Sequence, residues 1–173
     1  MSRLLGWIEW AEYETSKLQG AMQATRGNLF VYEDCAVWSH PNKATSKERF
    51  LSGRKTKLLE QGYQDAGLGP EELLGKHEKN WRIWNEEIKR AWCHEYRLSP
   101  NAWVDTATEG YWAADLELEL MDGTRRRVHF HRVAEDDHDI WNRFSGWLGD
   151  RLERGQSPAG KGLKGLMTRI NRA

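Results

Sequence analysis

Residues 114–133, ADLELELMDGTRRRVHFHRV, carry the pattern that decides the fold. Leu116, Leu118 and Leu120 alternate with Glu117 and Glu119, so one face of a strand is apolar and the other acidic. Asp122-Gly123 then offers a turn, and two registers compete. A two-residue loop at Asp122 and Gly123 sets Leu118 opposite Arg127 and Leu116 opposite His129, mixing charge into the apolar face. A three-residue loop of Met121, Asp122 and Gly123, with Gly123 in the left-handed region, sets Leu116 against Val128 and Leu118 against Arg126. It also pairs Glu119 with Arg125, Glu117 with Arg127 and Asp115 with His129. The second register is preferred, because a slip of one residue moves the whole apolar set to the other face.

Downstream, the hairpin runs into a helical stripe of Ile140, Phe144, Leu148 and Leu152, flanked by Trp141 and Trp147, which needs a sheet or groove to cover it. Asp136 or Asp137 is placed to cap that helix, with Asp139 in its first turn. Three histidines and four carboxylates crowd this junction, and Asp, Glu and His are the ligands of metal-dependent hydrolases. His129 and His131 share one strand face, and Asp115 across the hairpin is a third candidate ligand. Glu135, Asp136, Asp137 and Asp139 are explained without metal by a loop and a helix N-terminus. No metal or other cofactor is therefore expected, and a hydrolase or nuclease using His129 and His131 is an alternative.

Upstream, Asn28 to Tyr32 and Cys35 to Ser39 read as consecutive strands around Glu33-Asp34. Leu4, Trp7, Ile8, Ala11 and Leu18 lie near the spacing of one helical face, which predicts an N-terminal helix or extension over 1–17. Residues 41–75 turn polar and helix-prone, and are expected to form an insertion. Between 78 and 98 two readings stand. Trp81, Trp84, Ile88 and Trp92 fit a helical stripe, whereas Ile88, Trp92, Tyr96 and Leu98 also share one face of a strand.

At 173 residues the chain suits one domain with one core. Its 26 basic and 26 acidic side chains cancel, which argues against a polyanion binder held by bulk charge, so no specific nucleic acid is predicted. Mean hydropathy of -0.82 and the lack of a long apolar run argue against a membrane-spanning helix. The opening residues lack an apolar signal core, giving a cytoplasmic expectation. Cys35 and Cys93 have no close-spaced partner and read as packing residues. Neither a GxSxG elbow nor a GxxxxGK loop is present.

Charge is nevertheless segregated. Residues 101–124 carry acids without Lys or Arg, while 43–57 is strongly basic, so Arg54, Lys55 and Lys57 form a candidate anion-facing patch. After residue 154 a linker leads to a tail over 155–173. There Leu163, Leu166, Met167 and Ile170 follow helical spacing amid Lys161, Lys164, Arg169 and Arg172. Lys161, Lys164, Leu166 and Arg169 are the candidate contacts of that tail with an anionic membrane surface or a partner's groove.

Three stretches, TRGNLFVYEDCAVWSH (25–40), EELLGKHEKNWRIWNEEIKRAW (71–92) and LELELMDGTRRRVHFHRV (116–133), in this order resemble the bacterial pleckstrin-homology-like family. The resemblance implies an α+β fold over 18–154: an antiparallel sheet bent into a half-open barrel or sandwich, closed by a C-terminal amphipathic helix. It also implies that 80–84 and 88–98 are strands, and that the protein is a binding scaffold without chemistry of its own. The resulting expectation is a protein partner held by exposed tryptophans, Trp81 and Trp84 among them, and by a charge-polar surface. Peripheral membrane binding through the tail is the second reading.

Overall fold

The computed structural model describes residues 2–14, 24–47, 51–98, 111–133 and 140–158. The class is α+β. Among the described residues eight strands, β1 (Leu4–Glu14), β2 (Ala24–Tyr32), β3 (Cys35–Ser39), β4 (Trp81–Trp84), β5 (Ile88–Leu98), β6 (Tyr111–Leu120), β7 (Arg125–Val133) and β8 (Leu152–Arg154), form one sheet. Their order is β4-β3-β2-β1-β7-β6-β5-β8, antiparallel throughout except that β8 runs parallel to β5. The helices are α1 (Lys43–Ser46), α2 (Leu51–Asp65), α3 (Pro70–Lys76) and α4 (Ile140–Leu148).

The hairpin of β6 and β7 has the three-residue register. Leu116 pairs with Val128, Leu118 with Arg126, Glu117 with Arg127 and Asp115 with His129, and Gly123 has a φ of 81°. That conformation costs a residue with a Cβ, so glycine fits the last loop position.

Leu4–Glu14 is a strand, which corrects the helix alternative for the helix or extension predicted over 1–17. Two bulges explain the misleading spacing. Between Ile8 and Ala11 the chain gains one residue on β2, since Ile8 faces Leu29 and Ala11 faces Gly27. Both therefore point into the same core with helical i,i+3 spacing. A second irregularity separates Leu4 from Gly6.

Burial on both faces explains the continuous apolar runs of β2 and β3. Leu29, Val31, Ala36 and Trp38 join the main core, while Phe30, Tyr32, Cys35 and Val37 join a second cluster with Leu73. The main core lies under α4, which contributes Phe144, Trp147 and Leu148. The second lies under the helical insertion, adding Ala66, Leu68 and Leu74 from its far end. Asn28 Nδ2 donates to Leu58 O at 2.9 Å and Tyr32 Oη donates to Leu68 O at 2.8 Å, tying the insertion to β2.

Residues 81–98 form β4, a 3-10 turn at Asn85–Glu87, and β5, strands where the family resemblance implied them, with β4 one residue shorter, and against the helical periodicity. A bulge between Ile88 and Arg90 reverses the phase of β5. Ile88, Ala91 and Cys93 consequently enter the main core, while Trp92 and Tyr96 fall on the opposite face, which corrects the strand reading that grouped Ile88 with them. The stripe ending at Leu152 is also shorter than expected: α4 stops at Leu148, Gly149 takes a φ of 55°, and Leu152 enters β8.

The turn between β4 and β5 is held from several sides. Asn85 N donates to Asp34 O at 2.8 Å, and Met121 N at the hairpin tip donates to Glu87 O at 2.8 Å. From the end of α4, Trp147 Nε1 donates to Asn85 Oδ1, and Arg151 donates to the carbonyl of Asn85 and to that of Ile88. Three residues thus join β4, at one end of the strand order, to β5, next to the other end.

Candidate functional site

The insertion packs on the β1–β4 half of the sheet; on β5–β7 the corresponding face carries ordered polar side chains. Alternation puts Trp92, His94 and Tyr96 of β5 opposite Glu117, Asp115 and Ala113 of β6, and Glu117 and Asp115 opposite Arg127 and His129 of β7. The face therefore reads as rungs running across three strands.

In the first rung Glu119 takes Lys89 Nζ at 3.1 Å and Arg125 Nη2 at 3.3 Å. In the second, Glu117 takes Arg125 Nη1 at 3.0 Å and Arg127 Nη2 at 2.8 Å. Glu117 is 7% exposed. Burial raises its carboxyl, but hydrogen bonds from Arg127 and Ser157 and the charges of Arg127 and Arg125 outweigh that and hold it below its ordinary value. At the sheet edge Trp92 Nε1 donates to Glu153 Oε2 at 3.1 Å, and the Arg125 guanidinium lies 5.8 Å from the Trp92 ring centroid.

The third rung is His94, Asp115 and His129. His129 Nδ1 is hydrogen-bonded to Asp115 Oδ1, and Tyr96 Oη lies 3.2 Å from the same nitrogen. Tyr96 also stacks on His94, with centroids 5.2 Å apart. A carboxylate at Nδ1 favours the tautomer with its proton there, making Nε2 the basic atom. The rung is able to accept and donate hydrogen bonds.

Of the three candidate ligands of the alternative metal reading, Asp115 and His129 are brought together as the register required. His131 lies in β7, but its side chain is outside the described residues. Among the described residues no group of three or more His, Cys, Asp or Glu is placed to hold a metal ion. Within the described residues the pair is a carboxylate and an imidazole, Asp115 and His129.

Trp81 and Trp84 do not project as exposed anchors, which corrects that expectation. Trp81 stacks on Trp38 with centroids 6.1 Å apart and packs on the main core, and Trp84 packs on the second cluster under the Arg82 guanidinium at 3.8 Å. Lys57 is partly buried on α2. Arg54 and Lys55 are on the same helix, and their side chains lie outside the described residues. The tail candidates Lys161, Lys164, Leu166 and Arg169, and the caps Asp136, Asp137 and Asp139, lie outside the described residues altogether.

The chain does not leave the sheet at residue 154. Gly155, with a φ of 115°, donates its N–H to Cys93 O at 2.8 Å, and Ser157 is buried, with its side chain hydrogen-bonded to Glu117. Residues 155–158, assigned to the linker from sequence, are therefore attached to the sheet at Gly155 and Ser157, and 159–173 lie outside the described residues. His94, Glu153 and Ser157 escaped sequence reasoning. For His94 the i,i+2 spacing to Tyr96 was a signal, and its use needed both the strand assignment and the bulge; nothing local marked Glu153 or Ser157. Among the described residues no helix is long and apolar enough to cross a membrane. No family model and no curated protein matches the chain.

Proposed function

We propose that this chain is a non-enzymatic, cytoplasmic interaction module of the pleckstrin-homology-like type that holds a protein partner on the outer face of β5–β7. The observation that carries the reading is the set of three polar rungs. Lys89, Arg90, Arg125 and Arg127 alternate there with Glu117, Glu119, Asp115 and Glu153. Such a face is near neutral in sum and finely patterned in sign, which favours a partner of complementary mixed charge over a polyanion. His94, Tyr96 and the Asp115–His129 pair add hydrogen-bonding groups with little rotamer freedom.

The half-open barrel belongs to the same proposal. Its support is the three-residue link between β4 and β5: strands so far apart in the sheet order meet at one corner when the sheet curls. The grip of Trp147 and Arg151 on Asn85 is what a closing C-terminal helix would make.

The test is affinity capture with three baits: the wild type, an Arg90→Glu/His94→Ala variant on the face, and a Tyr63→Ala variant on the insertion. A specific partner should be lost with the face variant and retained with the insertion variant. Retention by a folded face variant sinks the proposal.

A further inference from the structure

We propose that His40 and His77 form a proton-operated latch that fastens the helical insertion to the sheet and releases it on acidification. His40 follows β3 and His77 ends α3. Their rings stack face to face with centroids 4.3 Å apart and planes 11° from parallel. The Trp38 ring meets His40 edge-on at 5.7 Å.

The hydrogen bonds fix what each ring must be. His40 Nδ1 lies 2.9 Å from Pro41 O, and a carbonyl only accepts, so this nitrogen carries the proton. His77 Nδ1 receives the Lys79 backbone N–H at 3.0 Å, so this nitrogen is bare. Protonating His77 puts a donor against a donor and breaks the turn after α3. Protonating both rings also sets two cations face to face.

The turn matters because Asn80 sits on it. Asn80 Oδ1 accepts from His40 N at 2.7 Å, Asn80 Nδ2 donates to Leu73 O at 2.6 Å, and Asn80 N donates to His77 O at 3.0 Å. On the other side Gln61 Nε2 of α2 donates to His40 O at 3.1 Å. One residue pair thereby holds β3, α2, α3 and the entry to β4.

The surrounding charges add to the effect. Lys79 stands on the turn itself, and the Asp65 carboxylate of α2 is already engaged by Lys76 of α3 and by Gln61 at 3.4 Å. Trp38 and Trp81 supply no charge. Burial, with further contributions from His77 and Lys79, holds the His40 imidazole below its ordinary value. The folded chain therefore binds fewer protons here than the unfolded chain. The stabilisation is complete above the unfolded value of about 6.5 and declines as pH falls through it.

Amide hydrogen exchange of full-length protein at pH 7.5 and 5.5, corrected for intrinsic rates, tests the latch. Opening at Lys79, Asn80 and Trp81 is expected to rise about tenfold in the wild type and to stay flat in a His40→Gln/His77→Asn variant. Equal protection at both pH values in the wild type overturns the proposal, as does an equal rise in the variant. If that variant fails to fold, the wild-type imidazole shifts followed by NMR decide: a His40 midpoint below 6.5 supports the latch, and one at or above 6.5 overturns it.

Discussion

Arg127 Nη2 donates to Glu117 Oε2 at 2.8 Å across β6 and β7, on a side chain that also holds Arg125 and Ser157. Glu117→Gln leaves two guanidinium groups with a weaker acceptor, and should cost about 1–3 kcal/mol in urea denaturation. Because the Glu117 carboxyl is held below its ordinary value, it binds fewer protons folded than unfolded. Its contribution is full above about pH 4.3 and fades as pH falls. The variant should lack that part of the acid slope, and an unchanged slope would refute the assignment.

Two glycines mark close approaches. A methyl at Gly27 overlaps the backbone carbonyl of Ser39 and the Trp38 ring, whereas the nearest atoms to one at Gly62 belong to the Trp7 ring. Gly27→Ala should be the worse, because a strand backbone yields less than a side chain. Both should fall within about 1–3 kcal/mol of destabilisation. Gly75→Ala in α3, where a methyl meets nothing within 4 Å, should be neutral or better by up to about 1 kcal/mol. Thermal unfolding ranks the three, and an order with Gly75→Ala worst would contradict the packing.

Both cysteines are buried, and burial, the leading cause, pushes the thiols of Cys35 and Cys93 up to about 12. At pH 8 neither should form an appreciable thiolate or reach a thiol reagent. Ellman's reagent should stay colourless with native protein and report both thiols in guanidinium. Prompt reaction of the native protein would contradict their burial.

Phe144 ties α4 to the sheet, its ring 5.6 Å from Phe130 and 6.3 Å from Trp147. Phe144→Ala should cost about 3–5 kcal/mol through lost contacts and the cavity left behind. A loss under about 1 kcal/mol would mean that α4 contributes little to the core.

The β6–β7 hairpin was legible residue by residue because one turn fixes the phase of both arms. β1 was not: its bulges give inward residues the spacing of a helix, and nothing local marks an extra residue as looped out. The polar face was half legible for the same reason. Asp115 and His129 are neighbours through the turn, but His94 reaches Asp115 only through the register of β5 on β6, which a bulge at its start shifts. Trp92 with Glu153 and Glu117 with Ser157 come together from opposite ends of long connections, where loop closure leaves no local pattern. The latch was hidden likewise, since His40 and His77 belong to different elements.

The pairing of Ala11 with Phe130 sets an order on assembly. During synthesis β1 emerges first and can join β2 and β3 early, yet its second edge has no neighbour until β7 leaves the ribosome. Through that interval the nascent chain carries a bare strand edge beside an unfinished core, the kind of surface that chaperones shield and that seeds wrong pairings.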